Sequence, residues 1–180
     1  MTQPFAKLAA MVLGDSNASA TAALRAPAIA AAIVLIIGAV GFRLKQPWLF
    51  AGLAPTIYMV AIHPGQEATR FRAVVAGHLA ALACAYVAIY FVNIDVVTSL
   101  LGALKVAPLR VWASALALGV LAIAQPRLRA YHPPAAATAL LVTLGAYRMT
   151  GKVPLALMGG VVVVAVLAQL VQQVRPGKGH

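Results

Sequence analysis

The chain of 180 residues is 63% hydrophobic, has a mean hydropathy of +0.93, and carries charge on only 9% of its residues. Soluble domains have roughly 45–50% apolar and about 25% charged residues, so a water-facing globular surface is excluded. Fourteen Lys and Arg against three Asp and Glu give a formal charge of +11, but the basic residues fall in pairs between apolar runs. That pattern excludes a nucleic-acid stripe and makes most of them anchors to lipid phosphates, with the bilayer as the expected partner.

In chain order, Phe5, Leu8, Ala9, Val12 and Leu13 recur at helical spacing, which predicts an interfacial segment over residues 1–25. Gly14-Asp15-Ser16-Asn17 interrupts that stretch too early for a cleaved signal. Apolar segments follow at Pro27–Phe42, Pro47–Ile62 (with Gly52 and Pro55) and Ala73–Val92 (with His78). Residues 93–107 read as an amphipathic connector, whose narrow apolar face is Ile94, Val97, Leu101 and Leu104. Pro108–Ala124, Pro133–Tyr147 and Val153–Val174 complete the set, and residues 175–180 form a polar tail. Five of these six segments open with proline at or next to the first residue, where its missing N–H has no intrahelical partner anyway. Long runs without a two-residue period predict helices and not a barrel.

The order long, short, long, connector, long, short, long divides the chain into halves at 26–92 and 108–174. Arg43-Leu44-Lys45 precedes the first short segment and Arg127-Leu128-Arg129 the second, an offset of 127 − 43 = 84. His63-Pro64 and His132-Pro133 flank the same short segments. The expected fold is an all-α polytopic membrane bundle of four full spans and two short Pro/Gly-containing helices, arranged as a 3+3 inverted repeat. In such repeats the solute site is expected at short, interrupted helices in matching positions. Spans this short enclose little volume, so a homo-oligomer is expected. Eight basic residues on the side of the termini against six on the other favour cytoplasmic termini, and a bacterial inner membrane is the expected location.

Three places carry possible chemistry. Tyr131-His132-Pro133-Pro134 opens the second short segment, where a helix start offers N–H groups and partial positive charge to an anion. Thr138 and the small Ala135–Ala137 let a solute approach. His132 either contributes to that site or caps the helix at the interface. His78 lies inside the third segment, where an ionisable side chain is expensive unless it faces protein or water. It is read as a functional residue or as a neutral imidazole bonded to a neighbouring carbonyl. Gly77, Ala81 and Ala85 form a packing row beside it, and Ala76, Ala80, Cys84 and Ala88 another. Glu67 is expected to pair with Arg70. Phosphate loops, metal-ligand spacings, carboxylate pairs and nucleophile elbows are not found, so neither an enzyme, a metal site nor a cofactor is expected.

Tyr131-His132-Pro133-Pro134-Ala135-Ala136-Ala137-Thr138-Ala139-Leu140 resembles the signature of the HPP family of integral membrane proteins, roughly HPPAGA followed by Ala-Leu. Arg72-Ala73-Val74-Val75-Ala76-Gly77-His78 resembles the family's second marked stretch, a QPRN element leading into Gly-His. The likeness covers about residues 27–174. Ala136 replaces the motif's glycine, Arg70-Phe71 stands where Gln-Pro is usual, and Leu53-Ala54-Pro55 replaces a Gly-Ala-Ser-like stretch. The resemblance implies four membrane helices and a transporter, with nitrite the solute linked to some members. It marks Arg72, Gly77, His78, His132, Pro133 and Pro134. The function expected is transmembrane movement of a small inorganic anion, nitrite-like: Arg72 draws it in, and the helix start at His132, Pro133, Pro134 and Thr138 holds it opposite His78. The alternative is a non-transporting scaffold whose small-residue rows dock partner helices.

Overall fold

The computed structural model describes residues 20–94, 108–146 and 151–174. The predicted interfacial segment (but for residues 20–25), the connector beyond Ile94 and the polar tail lie outside those residues. All regular structure in the described residues is helical. Among the described residues, four helices are long and apolar enough to cross a bilayer: α1 (Ala20–Arg43), α3 (Phe71–Val92), α4 (Pro108–Arg127) and α6 (Val153–Val174). Between them stand two short helices, α2 (Ala54–Ile62) and α5 (Ala136–Thr143), each preceded by a single 3₁₀ turn, Ala51–Leu53 and Pro133–Ala135.

Contacts between helix ends fix the direction of each element. Gln172, near the end of α6, donates to the carbonyl of Thr69 at 2.9 Å, just before α3 begins. Ile29 of α1 shares a surface pocket with Leu170, Val171 and Val174 of α6, while Trp48, past the end of α1, packs on Gly159 and Gly160. So α1 and α3 run together, and α6 runs against both. Gly77 of α3 meets Ala130 and His132 beyond the end of α4, which makes α4 antiparallel to α3. Arg110 at the start of α4 donates to the carbonyl of Thr143 at the end of α5, at 3.0 Å. The short elements therefore carry the chain back across the bundle, and all six helices alternate in direction.

Each short element crosses partly as helix and partly as loop. The stretch Ala51–Ile62 reaches only about 18 Å, against about 33 Å for the 22 residues of α3. The rest of the distance is covered by an irregular run that dives inward from the end of the preceding long helix. Both dives begin with the same turn. Leu44, Lys45 and Gln46 donate to the carbonyls of Val40, Phe42 and Gly41, and Leu128, Arg129 and Ala130 donate to Ala124, Pro126 and Gln125. Lys45 and Arg129 both sit in the left-handed region, at φ 53 and 51, as a Schellman helix end requires of the residue after the cap.

Two expectations about helix starts are corrected. Pro47 does not open a helix; it lies in the inward loop, where its fixed φ suits extended backbone and its missing N–H leaves no bond unmade. The helix waits until Ala51, because Trp48 must first lay its backbone against Gly160, where an added Cβ would be 2.6 Å from the Trp48 carbonyl oxygen. Pro27 lies inside α1 and not at its start, since the helix begins at Ala20. Pro108, Pro133 and Pro154 do stand in first turns.

The core runs between the long helices and the short ones. Leu53, Ile57 and Val60 of the first short element, Val74, Ala81 and Ala85 of α3, Ala139 and Val142 of α5, and Val161, Val164 and Ala165 of α6 are all buried. Alanine recurs through this interior, which lets helix backbones approach closely where lipid gives no hydrophobic drive for association. Large side chains such as Leu35, Phe42, Tyr90, Phe91, Trp112 and Val174 point outward.

Candidate functional site

The site forms where the two short elements begin. Thr56 is the third residue of α2 and Thr138 the third of α5, and both are buried. His78, eight residues into α3, lies between them: Nε2 is 3.0 Å from the Thr56 hydroxyl and Nδ1 is 2.8 Å from the Thr138 hydroxyl. His132, at the foot of the second inward loop, places Nε2 2.9 Å from the same Thr56 hydroxyl and Nδ1 2.6 Å from the carbonyl oxygen of Ala68. The two rings are 5.2 Å apart between centroids, and both are fully buried, at 0% exposure.

Glycines make this closeness possible. A Cβ on Gly77 would stand 2.6 Å from the His132 Cβ, and one on Gly52 would stand 2.7 Å from the Thr138 hydroxyl. The loop is also clamped from α4. Gln125 donates its amide to the His132 carbonyl at 3.0 Å and accepts the His132 N–H at 3.2 Å. His132 does not cap the helix that follows; its ring points across the bundle to Ala68 and Thr56.

With both rings neutral, the hydrogen-bond set allows one arrangement of protons. A carbonyl only accepts, so His132 carries its proton on Nδ1, and as a neutral ring it accepts at Nε2 from Thr56. With its one proton so used, Thr56 accepts from Nε2 of His78. The Nδ1 of neutral His78 then accepts from Thr138. Every bond is satisfied with both rings neutral, in one direction only, and no buried side-chain polar atom among the described residues lacks a partner.

The sequence-derived candidates thus divide. His78, His132, Thr138 and Gly77 come together. Pro133 and Pro134 form the turn beside them, but the two prolines have no N–H, and the amides of Ala135 and Ala136 are bonded within the turn. That helix start therefore offers an anion no free amide. The first short element differs: among the described residues the amides of Ala51 and Gly52 have no acceptor, as the first N–H groups of a helix have none, and Gly52 lies against Thr138. Arg72 is not in the cluster. It lines a bowl of about 320 Å³ with Glu67, Arg70, Ala73 and Arg129, on the side where α3 begins. Glu67 pairs with Arg70 at 3.5 Å, both exposed. Ala68 and Ala130, the neighbours of Glu67 and Arg129, are buried. His63 ends α2 on the surface and takes no part.

Thr56, Gly52, Ala68, Gln125 and Arg129 were not singled out as site residues from the sequence. The offset of 138 − 56 = 82 between the threonines, shared by the starts of the short helices (136 − 54 = 82), is the signal that points to Thr56.

Residues 3–179 match the family described as HPP, transmembrane region. The chain belongs to the HPP family. No curated protein and no solved structure matches it. With four long apolar spans, this HPP protein is a multi-pass integral membrane protein, and its architecture is consistent with a membrane transporter or channel. The histidine and two prolines for which the family signature is named are the foot of the inward loop and the first turn of the second short element. They form a structural corner.

Proposed function

We propose that this protein carries a small inorganic anion, nitrite-like in size and charge, across the bilayer through the point where its two short elements begin. The observation that carries this reading is the single histidine, His78, bonded to the matching third-residue threonines of both short helices. Two interrupted elements that start inside the bundle and run in opposite directions bring electropositive ends and hydroxyl donors to one buried place, without a formal charge in the membrane. The free amide of the buried Gly52 and the hydroxyls of Thr56 and Thr138 are the donors that suit a planar oxyanion.

The basic bowl of Arg70, Arg72 and Arg129 gathers anions on one side. Ala68, the outer end of the hydrogen-bond chain, is next in sequence to Glu67, which lines that bowl. Because every partner in the cluster is bonded to another, the arrangement is the closed state of such a site, and an anion enters by replacing one of those bonds.

The two halves are related, in this reading, as an inverted repeat. The long helices that close them begin and end at the same offset, 153 − 71 = 82 and 174 − 92 = 82. Gly77 receives the second inward loop and Gly159, also at an offset of 82, receives the first. Three traverses per half invert the second, which supplies the related but opposed halves that alternating access uses.

Reconstitution in vesicles tests the reading. Nitrite flux above that of protein-free vesicles is expected, and it should fall at least tenfold in the double variant His78→Gln, Thr138→Val. Equal flux in the variant and the parent, with both proteins folded, would remove the cluster from the path.

A further inference from the structure

The hydrogen-bond chain that closes the site has a property beyond binding. Resting on the transport reading for its consequence, we propose that Thr138, His78, Thr56 and His132 form a proton relay that loads one proton onto His132, so that the anion moves together with a proton.

The argument is one of donors and acceptors. In the neutral state the donors run in one direction, Thr138 to His78, His78 to Thr56, Thr56 to His132, and His132 to the Ala68 carbonyl. Let a proton reach the Thr138 oxygen. Thr138 passes its own proton to Nδ1 of His78, His78 releases the one on Nε2 to Thr56, and Thr56 releases its proton to Nε2 of His132. One proton has entered and none has left. His132 is now an imidazolium, still bonded to Ala68, and both threonines are neutral. His78 is neutral too, with its proton moved from Nε2 to Nδ1.

Each of the three bonds survives with donor and acceptor exchanged, and the hydroxyl proton newly carried by Thr138 is left to donate to the incoming anion. An arrangement with a second carbonyl in place of either threonine, or an Asn in place of either histidine, has no such second state. The hydroxyl and imidazole are the two neutral groups here that donate and accept at once. The opposite end is fixed: the Ala68 carbonyl cannot take the proton, so the charge stops on His132.

The charged and titratable surroundings permit this. From the turn before α3 come Glu67 and Arg70, already paired with each other and exposed; from α3 itself comes Arg72, from the end of α4 Arg127 and from the loop after it Arg129, all exposed. Arg110 at the start of α4 is buried against Thr143 and Gly145 past the other end of α5. Tyr131 is exposed beside His132, Tyr58 and His63 of the first short element face outward, and Lys152, before α6, is on the surface. None of these bonds either buried ring. The one charge the cluster gains is therefore free to pair with the incoming anion, and the pair crosses without net charge, which is the cheapest form in which an ion meets a low-dielectric interior.

The test reads the protons directly. In full-length protein in nanodiscs, labelled with ¹⁵N-histidine and assigned with His63→Gln, His180→Gln and His78→Gln, the ring shifts at neutral pH should give Nδ1–H for His132 and Nε2–H for His78. On acidification His132 should become doubly protonated, and in the same step His78 should remain neutral and change to Nδ1–H. In Thr56→Val the two rings should titrate without that exchange, and in Thr56→Ser it should return. His78 keeping its Nε2 proton through the titration of His132 overturns the relay, as does His132 staying neutral until the protein unfolds. Vesicles supply the second arm. Nitrite uptake should follow an inward proton gradient and ignore an imposed membrane potential; uptake driven by potential alone overturns the coupling. Absence of all protein-dependent flux counts against the transport reading, and the ring shifts then decide the relay by themselves.

Discussion

Thr56 serves two rings with one hydroxyl, and Thr138 serves one. Replacing Thr56 by the isosteric Val leaves two buried ring nitrogens without partners, at a cost of about 2 kcal/mol, whereas Thr138→Val strands one and costs about 1 kcal/mol. Thermal unfolding in detergent should rank them in that order; the reverse order would mean that the bonds at Thr56 are not made. Gly77→Ala acts differently, through volume. Its Cβ would stand 2.6 Å from the His132 Cβ and 3.2 Å from the Ala130 carbonyl oxygen, so the loop must move or the helices part, an overpacking penalty of about 1–3 kcal/mol. Arg129 holds a left-handed conformation that costs a non-glycine residue about 1 kcal/mol, and it also lines the basic bowl. Arg129→Gly should therefore raise the melting temperature while weakening anion uptake, a split that a purely structural arginine would not produce.

At the scale of elements, the short helices decide the topology. If each carries the chain across, α1 and α4 end on opposite sides; if each merely re-enters, they end on the same side. Single cysteines at Lys45 and Arg129, made in a Cys84→Ala background, should react with an impermeant maleimide from opposite faces of oriented vesicles. Labelling of both from one face would return the chain to four crossings. Both residues occupy equivalent Schellman turns, so their backbone settings match and only the side of the membrane differs. The element boundaries were legible in proportion to how local their cause is. Val153–Val174 is where the apolar run put it, and Pro108 and Pro133 open their helices because proline's geometry acts within a residue or two. Pro27 and Pro47 misled for the opposite reason: the start of α1 lies beyond any proline signal, and the loop after it is held extended by Gly160, more than a hundred positions away.

For the whole molecule, charge is concentrated where chemistry needs it least buried. Arg70, Arg72 and Arg129 face a bowl on one side, Arg110 is buried against the end of α5, and the histidine–threonine cluster itself is built of neutral groups. The bowl's effect is long-ranged and screened, with a Debye length of about 8 Å at physiological salt. Apparent affinity for the anion should thus fall as ionic strength rises in the parent protein, and the dependence should flatten in Arg70→Gln, Arg72→Gln, Arg129→Gln. An unchanged salt response would separate the bowl from the path. The division of labour explains why the sequence placed Arg72 with the two histidines: it is six positions before His78, but at the helix start, where a long cationic side chain reaches water.

By itself the sequence determined the solvent, the helical class, the number of apolar segments, and the two short elements with their histidine-proline corner. Those follow from composition and from the preferences of proline and glycine, which act over a few residues. Only the tertiary structure decided that the second short helix presents no free amide, that Thr56 joins the two histidines, and that Ala68 sets the direction of their protons. Hydrogen bonds between residues 22, 60, 64 and 76 positions apart leave no periodic trace in a chain. They exist because glycines at 52 and 77 let two helix starts and one loop share the same small space.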